Sequence, residues 1–129
     1  MIVVDSNVIA YLLIPGDTTQ IAEKVWGKDS TWAAPRLWRS ELRNVLGLYM
    51  RQQKMDLDKA QLQMGRAEQL MNGREYDVAS GNVLEIAQSS GCTAYDCEFV
   101  YLAEQLDVPF VTSDKKLLTA FPATALSMA

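Results

Sequence analysis

The chain has 129 residues, 49% apolar and 22% charged, enough for a single domain (1–129) with a sizeable core. Its formal net charge of −4 argues against broad electrostatic capture of nucleic acid, for which basic domains are the usual footprint. No apolar run approaches the roughly 20 residues that cross a bilayer. The first residues also lack the basic and small-residue signals of a leader. A cytoplasmic protein with no membrane contact is therefore expected. Cys92 and Cys97 are too few and too close for a disulfide framework and read as packing residues in a reducing compartment.

In chain order, Met1–Asp5 is a short apolar run ending in an acid, the pattern of a buried strand. Helical signals follow in Asn7–Leu13 and in Thr18–Trp26, the second opened by Asp17 or Thr18 and closed by Gly27. Thr31–Ala34 reads as a second strand. Pro35 suits a first helical position, with the helical pattern running on to about Gln53. Asp56 caps Leu57–Met71, which stops at Asn72-Gly73. Ser80–Ser90 is a helix closed by Gly91, and Thr93 opens another over Tyr95–Leu106. Val108–Thr112 is a strand, and Ala123–Met128 a weak final one. Strands alternating with helices imply a parallel α/β sheet covered on both faces.

Four acids stand out against this frame. Asp5 and Asp114 each follow the last apolar residues of a strand, so both are delivered to the sheet edge where α/β proteins gather ligands. Glu41 falls inside the apolar arc of its helix, which runs through Leu37, Trp38, Leu42, Val45, Leu48 and Tyr49. Asp96 sits in the first turn of its helix, where with Thr93 it also forms a T-x-x-D capping box. Each has an ordinary alternative. Asp5 and Asp114 suit turns or caps, Asp96 complements a helix dipole, and Glu41 suits an arc edge or a buried base. Glu98 projects away from the apolar arc of its helix and reads as peripheral. Burying unpaired acids is unfavourable, and the chain has no histidine. A divalent cation held by oxygen ligands is the simplest compensation, and phosphodiester cleavage the matching chemistry. Arg36, Arg39 and Arg43 share the opposite face of the Glu41 helix, as a phosphate-contacting stripe, a surface for an acidic partner, or a solvated face.

These residues resemble the PIN domain family, particularly its small VapC-type members. The likeness rests on Asp5-Ser6-Asn7 after the first strand, Ser40-Glu41-Leu42, the run from Thr93 through Asp96 to Ala103, and Thr112-Ser113-Asp114 followed by Lys115, Lys116 and Leu117. It covers nearly the whole chain; each piece is short, but their order and spacing are specific. Cys97 follows Asp96 where a small residue is common, a mild departure. The resemblance implies a three-layer sandwich with a central parallel sheet of four to five strands flanked by helices, often as a homodimer. It also implies Mg2+- or Mn2+-dependent ribonuclease activity on RNA, and a toxin neutralised by an antitoxin. The family's acids map onto Asp5, Glu41, Asp96 and Asp114, and its accessory polar positions onto Asn7 and Thr112. On that mapping Asp5, Asp96 and Asp114 surround the metal directly or through water, and Glu41 completes the set. Two other readings remain: a catalytically silent PIN-like binding module, and a phosphotransfer receiver domain. A receiver needs an acceptor Asp on a central third strand, which is not apparent.

Overall fold

The apolar run after Met1 forms β1 (Ile2–Val4) in a computed structural model that describes all 129 residues. The other strands are β2 (Trp32–Pro35), β3 (Glu75–Tyr76), β4 (Phe110–Thr112) and β5 (Ala125–Ser127). Every pairing is parallel, and the order is β3-β2-β1-β4-β5. Seven helices complete the chain: α1 (Ser6–Leu13), α2 (Thr19–Lys28), α3 (Leu37–Arg51), α4 (Leu57–Leu70), α5 (Ser80–Ser90), α6 (Ala94–Leu106) and α7 (Lys115–Ala120). All residues of β1, β2 and β4 are buried, as in parallel sheets covered by helices on both faces. No helix is long and apolar enough to cross a membrane.

One cluster of 28 buried residues holds the layers together, with Trp32, Trp38, Phe99 and Phe110 fully enclosed. Phe99 of α6 stacks on Phe110 of β4 at 5.8 Å between ring centroids, fixing α6 to the sheet. Burying a side chain of this size contributes about 1.5–3 kcal/mol.

Two local expectations are corrected, and one strand was not expected. Pro35 ends β2 instead of opening a helix, and α3 begins at Leu37. Ala34 and Arg36 both donate their N–H groups to the β3 side, so Pro35 faces β1. Its missing donor thus falls just past the last paired residues of β1 and β2, Val3 and Ala33, where the pairing of these strands is ending. Gly27 does not stop α2, because it remains helical and the helix runs on to Lys28. A glycine terminates a helix by entering the left-handed region, as Gly91 does at φ 73° after α5. The two-residue edge strand β3 carries no alternation that a sequence pattern can register.

The strand order places a switch point between β1 and β4. From β1 the chain moves outward through β2 and β3, then returns to the other side for β4 and β5. The crevice beyond the carboxyl ends of β1 and β4 is where such sheets bind ligands.

Candidate active site

Asp5 enters this crevice directly from β1. Its backbone is extended, at φ −65° and ψ 149°, and it caps α1 by accepting from the Asn7 N–H at 3.5 Å. Its other oxygen accepts from the Thr112 hydroxyl at 2.8 Å. Thr112 is fully buried at the end of β4, and its oxygen accepts from the Asp114 N–H at 3.1 Å. With that lone pair occupied, the hydroxyl proton is directed at Asp5. A relay of two bonds thus orients one carboxylate across 107 residues of sequence.

Glu41 arrives from α3 and accepts at 2.8 Å from the hydroxyl of Ser6, itself only 3% exposed. Asp96 stands in the first turn of α6, where Thr93 caps the helix by accepting from the Asp96 N–H at 3.1 Å. Asp114 caps α7, accepting from the N–H groups of Lys116 at 2.8 Å and Leu117 at 3.4 Å. The ordinary capping roles of Asp5 and Asp114 are therefore real. They do not consume the carboxylates, because each cap occupies one oxygen.

The electrostatics tie the four segments together. Burial raises the pKa of Asp5 above the ordinary carboxylate range; Thr112 and Asn7 oppose the shift, while Asp96 and Asp114 add to it. Burial likewise raises Glu41, opposed by Ser6 and reinforced by Asp5, Asp96 and Glu98. Asp96 is raised by burial and by Asp114, against Thr93 and Lys116. Like charges thus act on one another around the crevice. Glu98 was expected to be peripheral, yet it lies near enough to raise Glu41, and burial raises its own pKa too. A wheel drawn for one helix treats its far side as solvent and cannot register a neighbouring helix.

A groove of about 300 Å³ opens beside these acids, its lining including Asp5, Asn7, Ser40, Glu41, Asn44 and Tyr95. No three acidic, histidine or cysteine side chains converge into a preformed metal cage. The donors are nonetheless all hard oxygens, and Mg2+ typically keeps several waters while taking one or two carboxylates. The set fits a hydrated divalent cation held by a subset of the acids.

The three arginines do not form one uniform stripe. Arg39 is bound by Glu75, through Nε at 2.6 Å and Nη2 at 2.9 Å, and by Glu68. Arg36 pairs at 2.9 Å with Asp77 in an exposed contact, and Arg43 is exposed. Arg39 is thus committed to fastening α3 against β3 and α4. Ser6 escaped sequence reasoning for a related reason: its neighbours Asp5 and Asn7 suggested a cap, and its partner lies 35 residues away.

The PIN domain pattern matches residues 2–121. Ribonuclease VapC3 of Pyrobaculum aerophilum is 26% identical over 125 residues, 95% of either chain. A crystal structure from the same organism superposes with a TM-score of 0.77 at 22% identity, covering 98% of this chain and 83% of that one. A toxin-antitoxin complex from Klebsiella pneumoniae gives 0.72 at 10% identity, covering 100% and 98%. These structural likenesses speak for the fold, and the family match spans nearly the entire sequence. The chain belongs to the PIN domain family.

Proposed function

We propose that this protein is a metal-dependent endoribonuclease of the VapC type, a toxin restrained by an antitoxin protein. The observation that carries the proposal is the electrostatic influence that Asp5, Glu41, Asp96 and Asp114 exert on one another around the switch point, with three of them made less acidic by burial and by neighbouring acids. Such a set gains from a divalent cation, Mg2+ or Mn2+. The relative named Ribonuclease VapC3 supports the ribonuclease reading, and the toxin-antitoxin complex supports a protein partner. Family likeness adds a homodimer. Two free, buried cysteines accord with a reducing cytoplasm as the place of action.

When bound, the cation supplies Lewis-acid polarisation of the phosphoryl group and acidifies the attacking water. Asp5, aligned by Thr112, would hold the cation, with Asp96 and Asp114 beside it. Glu41, held by the Ser6 hydroxyl and lining the groove, would serve as the proton acceptor there. Asn7 orients substrate at the groove. Exposed Arg43, with Arg36, is available to RNA phosphates or to acidic side chains of the antitoxin.

Purified protein is expected to cleave single-stranded RNA with Mg2+ or Mn2+, to stop on addition of EDTA and to recover when metal is restored. Activity persisting through chelation would overturn the proposal. Ser6 gives a sharper test. Removing its hydroxyl leaves the Glu41 carboxylate without the bond that opposes its upward shift. Ser6→Ala should therefore lower cleavage roughly 10–100-fold, the usual effect of losing a group that orients a catalytic ligand. It should also move the acidic limb of the pH–rate profile to higher pH. A loss of rate with an unmoved limb would make Ser6 a packing residue only.

A further inference from the structure

Tyr95 is 65% exposed, and it is the only aromatic among the large apolar side chains left open to solvent. It is also the only member of that group lining the acid groove. It precedes Asp96 at the start of α6, so its position relative to the acids is set by a well-packed helix. The groove's other polar walls include the neutral side chains Asn7, Ser40 and Asn44. Its volume of about 300 Å³ is at the small end of ligand pockets. A second groove of about 440 Å³ adjoins it, sharing Asn7 and Val45 and adding Tyr11 and Tyr49.

We propose that Tyr95 is a stacking platform for one unpaired nucleobase beside the scissile phosphate, making the substrate single-stranded. The inference rests on the ribonuclease reading and adds how the strand is recognised. A chain of net charge −4 cannot rely on broad phosphate attraction. Stacking on an aromatic face needs no charge and tolerates any base. A tyrosine is also a suitable anchor, since it offers a large flat surface with little rotamer freedom to lose. The neutral amides and hydroxyl that line the groove with it can bond base edges or sugar without adding repulsion. A duplex keeps its bases stacked on one another and cannot offer one to a narrow groove. The adjoining groove continues the track for the neighbouring nucleotide.

The test separates binding from cleavage. A short single-stranded RNA carrying one 2-aminopurine is titrated with the full chain in Ca2+, whose loose coordination favours binding over in-line chemistry. Cleavage is measured separately in Mg2+ and Mn2+. The parent should quench the aminopurine, and Tyr95→Ala should weaken Kd roughly tenfold and abolish the quench, in line with the worth of one base–aromatic stack. Tyr95→Phe and Tyr95→Trp should retain both, and a duplex of the same sequence should compete poorly. An unchanged Kd in Tyr95→Ala, or no quench by the parent, overturns the proposal whatever the cleavage assay returns. Tyr95-dependent binding without cleavage in either metal keeps the base site and removes the ribonuclease reading.

Discussion

Replacing Asp5 with asparagine should reduce RNA cleavage by at least a hundredfold while leaving the metal-free fold as stable as the parent or more so. The rate estimate is a lower bound, because losing a group that merely orients a metal ligand already lowers activity 10–100-fold. Asn is nearly isosteric and keeps an acceptor for the Thr112 hydroxyl, so the relay from Asp114 survives in part. What it removes is the charge. Burial raises the Asp5 pKa above its ordinary 3.8, and Asp96 and Asp114 add to that shift. A group raised in the folded state contributes stability that is fully present below its unfolded value and lost as pH rises through the folded one. At neutral pH the ionised Asp5 therefore works against the fold. Glu41 and Asp96 act in the same direction. In EDTA, the melting temperature of the parent should fall between mildly acidic and neutral pH, and Asp5→Asn should flatten that fall. Added Mn2+ should restore the parent, by about 2.7 kcal/mol at a hundredfold excess over its dissociation constant. The variant should lose most of that response. Cleavage within tenfold of the parent, or a variant clearly less stable in EDTA, would return Asp5 to a capping role alone.

The reach of sequence reasoning follows from which interactions are local. Asp5 and Asp114 were legible because each terminates an apolar strand, and a parallel sheet carries strand ends to one edge. Glu41 was legible because an acid inside an apolar arc contradicts its surroundings. The α4, α5 and α6 spans were marked by residues acting within a turn or two: Asp56 and Thr93 as caps, Gly91 as a left-handed stop. What escaped depends on partners remote in sequence. The bond from Ser6 to Glu41 spans 35 residues, and that from Arg39 to Glu75 spans 36. Arg39 looked free for phosphate, an acidic partner or solvent because helical periodicity says which face a residue occupies, and nothing about what lies against it. The strand that covers that face is only two residues long.

That same strand sets the last expectation, a loss of stability of about 2 kcal/mol in Glu75→Ala with cleavage retained where the variant is folded. Glu75 is 11% exposed at its side chain and accepts from both Nε and Nη2 of Arg39. It also accepts from Trp38 Nε1 at 2.8 Å, and Trp38 is fully buried. One carboxylate thus serves two consecutive residues of α3 and fastens that helix to the sheet's outermost strand. Truncating it strands a buried indole N–H and leaves a guanidinium short of its main partner, against a second contact with Glu68. A fully buried pair broken in this way loses 3–5 kcal/mol. Arg39 retains 31% exposure, so water recovers part of the loss. The pH dependence has the opposite sign to that of the active site. Hydrogen bonds from Arg39 and Trp38 hold the Glu75 carboxyl below its ordinary 4.5. Its contribution is therefore fully present above that value and disappears as pH falls through the lowered one. The difference in melting temperature between parent and Glu75→Ala should be constant at neutral pH and shrink in acid. Glu68→Gln should be the milder change, because Glu68 is 42% exposed. Because α3 also carries Glu41, a Glu75→Ala protein that stays folded but cleaves poorly would show this anchor reaching into the active site, and equal melting temperatures for parent and variant would refute its structural role.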